Sequence, residues 1–105
     1  MRFHFVRTGG FAGLRLAATI DTEVLPEEEC ELLMDELDNA NFFELPSVLE
    51  APSGGADRFQ YEVTVERDED QHTIEAGEAA VPENLQPLLQ HLERLARRSR
   101  RGSIV

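Results

Sequence analysis

Few side chains in this chain can do covalent or metal chemistry, and they are scattered. There is one cysteine, Cys30, and there are three histidines, His4, His72 and His91. Cys30 falls on the apolar stripe of a strongly acidic helix, with no cation or metal ligand nearby to activate a thiol, and it reads as a structural residue. Neither Ser47 nor Ser53 stands in the G-x-S-x-G context that lifts a nucleophile out of a strand. The histidines do not cluster: His4 belongs to the solvent face of a first strand, His72 to a hairpin arm, and His91 to the polar side of a last helix. No H-x-x-H, H-E-x-x-H or C-x-x-C spacing occurs, so no metal site is expected. Asp68-Glu69-Asp70 resembles a calcium loop only in being acidic; without the loop glycine and the distant glutamate it reads as a solvated turn. No nucleophile, base or metal constellation emerges, so the chain reads as a binding protein with no cofactor.

Two glycine-bearing segments stand out as surfaces. Arg7-Thr8-Gly9-Gly10-Phe11 fits neither G-x-G-x-x-G nor a P-loop, and its glycines join two strands rather than a strand and a helix, which argues against a nucleotide site. Glycines at a hairpin tip supply positive φ. Their company is unusual, because a cation, Arg7, and a large apolar residue, Phe11, flank the tip. Two readings of Phe11 stay open: tucked onto the sheet, or exposed as an anchor for a partner's cleft. The second segment, Glu50 to Asp57, holds Gly54, Gly55 and the carboxylate of Asp57, and is the clearest loop in the chain.

Residues 2–8 alternate Phe3 and Phe5 against Arg2 and His4, a half-buried strand. Residues 12–21 resume with Leu14, Leu16, Ala18 and Ile20 on one face, completing a hairpin. Leu25-Pro26-Glu27-Glu28-Glu29 opens a helix, carboxylates suiting its positive end. Its apolar stripe is Cys30, Leu33, Met34 and Leu37, and it should end near Asn39-Ala40-Asn41. Phe42-Phe43-Glu44-Leu45-Pro46 follows as an apolar plug between helix and sheet. Phe59, Tyr61, Val63 and Val65 alternate with polar residues in the cleanest strand signal present. A polar turn, Arg67 to Asp70, leads into a second arm, Gln71 to Ala76. Leu85, Leu88, Leu89, Leu92, Leu95 and Ala96 mark a final helix. Pro87 requires either a tight turn at 83–86 or a helix that starts close to it. The order is ββαββα. An α+β fold follows, a four-stranded, largely antiparallel sheet with two helices packed on one face; strand order is not readable. Residues 1–98 form one domain and 99–105 a basic, flexible tail.

With 105 residues and 41% hydrophobic residues, the chain can build one core without staples. Charge divides sharply. Residues 1–93 hold all 21 acids and five of the ten basic residues, whereas the stretch from Arg94 onward holds the other five and no acid, within a net charge of −11. Phosphate backbones are repelled by such a body, so nucleic acid is not expected as the main partner. The arginines complement a helix C-terminus. No apolar run approaches the roughly 20 residues that span a bilayer, and the start of the chain lacks a signal-peptide pattern. With a lone cysteine besides, a cytoplasmic location and no membrane partner are expected. The free protein is expected to be a monomer, although an exposed hairpin edge offers a pairing surface.

The motifs have a familiar order. Phe5-x-Arg7-x-Gly9-Gly10-Phe11-Ala12-Gly13, Leu25-Pro26 before an acidic helix and Phe42-Phe43-x-Leu45-Pro46 come first. Ala56-Asp57-x-Phe59-x-Tyr61-x-Val63-x-Val65 and Leu85-x-Pro87-Leu88-Leu89 follow. From Arg2 to about Ala96 the chain resembles the emfourin family, small bacterial proteins that inhibit thermolysin-like zinc metallopeptidases of the protealysin type. The resemblance implies an intracellular partner of that class. Neither glycine-bearing loop holds a Cys or His, although Asp57 offers a carboxylate, so steric blocking of the cleft is favoured over ligation of its zinc. It makes Arg7, Gly9, Gly10, Phe11, Gly54, Gly55 and Asp57 the expected partner-binding residues. The alternative is a non-enzymatic adaptor that turns the same surfaces to another partner. The Arg-rich end has no counterpart in the resemblance.

Overall fold

The fold follows from strict alternation. In the computed structural model, which describes residues 1–9, 14–50 and 59–100, strand β1 (Arg2–Gly9) buries Phe3 and Phe5 completely while Arg2 is exposed and His4 half-exposed. It pairs antiparallel with β2 (Leu14–Asp21) on one side and with β4 (Phe59–Arg67) on the other. Residues opposite each other point to the same face. Phe3 therefore stands between Ile20 and Val65, and Phe5 between Ala18 and Val63. Val63 in turn faces Ile74 of β5 (Asp70–Gly77).

The sheet has five strands, in the order β2-β1-β4-β5-β3, where four were expected. The addition is β3 (Val48–Leu49), which runs parallel to β5. A two-residue strand shows no alternation, so the sequence hides it inside a connector. Its register is fixed by the Glu75 N–H donating to the Ser47 carbonyl at 2.8 Å.

Both helices bury their apolar faces in the same core as the sheet. Helix α1 (Glu27–Asn39) starts after Pro26, whose carbonyl accepts the Cys30 N–H at 3.0 Å. The helix ends where Asn41 turns into the left-handed region at φ 53°. Its inner face differs from the expected stripe. Leu33, Leu37 and the following Ala40 are buried, but Met34 is 42% exposed and Cys30 is only half-buried. The inward arc is rotated toward Glu29 and Glu36, which find a partner on the second helix.

That helix, α2 (Gln86–Arg100), follows a 3-10 turn at Glu83–Leu85. Both expectations for Pro87 are met together, since the turn exists and the proline sits in the first helical turn, where its missing N–H costs nothing. Asn84 donates its side-chain N–H to the Asn39 carbonyl at 3.1 Å, joining the end of α1 to the start of α2. Leu85, Leu88, Leu92 and Ala96 are fully buried. The Phe42-Phe43 connector acts as the expected plug: Phe42 is buried and meets the rings of both Phe43 and His72 edge-on.

Candidate interaction site at the loop-bearing end of the sheet

Gly9 of β1 pairs with Leu14 of β2 on one side and with Phe59 of β4 on the other. The segments 10–13 and 51–58 therefore spring from neighbouring positions at one end of the sheet. Gly10, Phe11, Gly54, Gly55 and Asp57 lie in those two segments, outside the described residues. Gly9 itself has φ 104°, a conformation open to glycine and strained for any residue with a Cβ.

Arg7 does not belong to the tip. It lies in β1 two residues before Gly9, on the helix-covered face, with its side chain only 19% exposed. Its guanidinium donates toward Glu93 of α2 at 3.1 Å and stacks over the Phe59 ring, 4.6 Å from the centroid. Glu93 is shared with Arg97 at 2.9 Å, one helical turn on. The cation thus fastens three elements, β1, β4 and α2, directly beneath the roots of both loops. Next to it, Tyr61 of β4 faces Arg7 in register. Burial, reinforced by the Glu93 carboxylate, pushes the Tyr61 hydroxyl above its ordinary value of 10.0. Tyr61, Glu78, Val81, Leu89, Gln90 and Glu93 line an open cleft of about 230 Å³ at this end.

Glu93 and Tyr61 were not among the expected residues, although the sequence held a signal for both. Glu93 is four residues past Leu89, at the border of the apolar stripe, and Tyr61 continues the inward row of Val63 and Val65. A charged residue at such a border position is half-buried and needs a partner.

The histidines lie apart, as expected, but His91 is not on a polar face. It is 2% exposed, packed between the helices. Its Nδ1 lies 2.8 Å from Glu36 and its Nε2 3.0 Å from Glu29. Both ring nitrogens are thus engaged by carboxylates within the fold. Glu29 also accepts from Arg98 at 3.4 Å. The hydrogen bond from His91 holds the Glu29 carboxyl below its ordinary value of 4.5 against the opposing effect of burial, with Arg98 adding to the lowering. His4 bridges Thr19 and Glu66 on the open face of the sheet. His72 donates to the Leu45 carbonyl at 2.7 Å and so secures the plug. Among the described residues no group of three or more His, Cys, Asp and Glu side chains could hold a metal ion.

At this end of the sheet the described residues give the roots of both glycine-bearing segments and the Arg7–Glu93–Phe59 contacts beneath them. Comparison with curated proteins gave no match, and comparison with solved structures gave none. The sequence pattern of one family, Emfourin, matches residues 5–93, which takes in β1 from Phe5 onward, helix α1, helix α2 as far as Glu93 and the roots of both loops. The chain belongs to the Emfourin family of protease-inhibitor proteins.

Proposed function

We propose that the protein inhibits a thermolysin-like zinc metallopeptidase by placing the loop-bearing end of its sheet over the substrate cleft. The observation that carries this reading is the pairing of Gly9 with Phe59, which roots segments 10–13 and 51–58 next to each other. A cleft that accepts an extended substrate is blocked by two adjacent loops more completely than by one. Phe11 is the apolar anchor, and Gly9-Gly10 allow the backbone to approach closely. Gly54, Gly55 and Asp57 supply the second rim. Arg7 acts one step back, orienting the platform through Glu93 and Phe59. Steric blocking is favoured over ligation of the zinc because neither segment contains histidine or cysteine; Asp57 is the one carboxylate they offer between them.

Titration of a protealysin-like peptidase with the protein decides the matter. Activity should vanish near one-to-one stoichiometry, while a serine protease in the same buffer is untouched. Full peptidase activity in excess protein would overturn the reading and leave an adaptor for another partner.

A further inference from the structure

The cleft beside Tyr61 opens at the same end of the sheet as the two glycine-bearing segments. Gly9 pairs with Phe59, and Gln60, next in β4, pairs with Gly77 at the end of β5. Tyr61 thus lies two residues from the root of segment 51–58, and Glu78 directly follows the last residue of β5. Helix α2 supplies the facing wall. The cleft holds about 230 Å³, less than the roughly 300–1,000 Å³ of sites that enclose a whole small molecule. It is sized for one side chain presented by a partner.

Its lining selects the chemistry of that side chain. Val81 and Leu89 form the apolar part. Around them stand the carboxylates of Glu78 and Glu93, the amides of Gln86 and Gln90 and the Tyr61 hydroxyl, and no cation is among the described lining residues. Both carboxylates are already engaged within the chain, Glu93 by Arg7 and Arg97 and Glu78 by a contact of its own. A carboxylate offers about four acceptor sites, so such contacts are compatible with a further donor. Glu78, Gln86 and Gln90 are solvent-exposed and can be reached from outside. Beyond burial, Glu93 and Glu78 both push the Tyr61 hydroxyl upward, against Arg7, so the two carboxylates act on one point of the cleft. A cationic head on an apolar stem suits both parts of this lining. Arginine suits it better than lysine, because its planar fork carries five donors for acceptors set around it. The net charge of −11 favours cations in the cleft at longer range.

We propose that this cleft is a subsite for a single arginine side chain of the protein partner, inserted between β4 and α2. As a partner contact it rests on the inhibitory reading; as a site for a guanidinium on an aliphatic stem it does not. It adds to the two loops a contact that discriminates, since a carboxylate presented at the same place is repelled.

Tyr61 is the sole tyrosine and the chain has no tryptophan, so tyrosine fluorescence reads the cleft alone. Titrating the full chain with N-acetyl-arginine amide should give a saturable fluorescence change in the millimolar range, with NMR shifts centred on Tyr61, Val81, Gln86 and Gln90. N-acetyl-citrulline amide, nearly the same shape without the charge, should give neither. Gln90→Lys sets a cation at an exposed position of the lining and should weaken binding of the arginine amide about tenfold or more. Gln71→Lys makes the same charge change on the exposed surface at the start of β5 and should leave binding unchanged. Against a protealysin-like peptidase, the inhibition constant of Gln90→Lys should rise by a similar factor over that of Gln71→Lys. Equal responses to the two amides, or no saturable response at tens of millimolar, overturn the site. Binding of the arginine amide with equal inhibition by the two lysine variants overturns its role as a partner contact. A protein that binds the arginine amide and inhibits no peptidase keeps the site and refutes the inhibitory reading alone.

Discussion

A histidine whose two ring nitrogens each meet a carboxylate ties two helices together through a single side chain. His91 closes the gap between α1 and α2, with Glu29 and Glu36 facing it from α1 and Arg98 reaching Glu29 from its own helix. Glu29 titrates below its ordinary value of 4.5, so in the folded state it binds its proton less readily than when unfolded. Its contribution to stability is therefore complete above about pH 4.5 and is lost as pH falls through the lower folded-state value. Glu29→Gln removes this proton linkage. Thermal unfolding measured from neutral pH down to about pH 3 should show the wild type losing more of its melting temperature than Glu29→Gln loses over the same interval. Parallel profiles would mean that the carboxyl is not tied to His91 in solution.

Element boundaries here are set by single backbone conformations as well as by patterns. Asn41 ends α1 at φ 53° and ψ 46°, a left-handed geometry that asparagine tolerates and alanine does not. Asn41→Ala should cost about 1 kcal/mol, a fall of roughly 4–8 °C in melting temperature for a domain of this size, whereas Asn41→Gly should be neutral or slightly stabilising. Calorimetry of the two variants checks the contrast, and equal effects would refute the assignment. The sequence shows the same limits. Strands whose residues alternate, such as β1 and β4, were legible with their faces, as were the plug at Phe42 and the turn before Pro87. What escaped lacks local periodicity. A two-residue strand cannot alternate, and strand order depends on pairings distant along the chain. Glu29, Glu36 and His91 are polar residues three or four positions from buried leucines. Local pattern assigns them to a solvent face, and only the packing of one helix against the other turns them inward together. Arg7 was expected at the hairpin tip; it lies within β1, and its partner Glu93 is contributed by an element at the far end of the chain.

At the scale of the whole molecule, one end of the sheet roots both glycine segments, and the helices bury their apolar faces in the same core as the sheet. The inhibitory reading makes Phe11 the residue whose loss should separate function from fold. If it enters the peptidase cleft, Phe11→Ala removes a central apolar anchor, a loss of about 2 kcal/mol or more that raises the inhibition constant roughly 30-fold or more. An anchor that enters a partner's cleft is not part of the core, so under this reading the melting temperature should be unchanged. Inhibition constants and thermal unfolding of the same preparations are the two readouts. A variant that unfolds at lower temperature while its folded fraction inhibits as well as wild type would place Phe11 against the sheet. The decisive contacts would then pass to Gly54, Gly55 and Asp57. Alanine at Asp57 would test that rim, with a loss of inhibition confined to this variant as the expected mark.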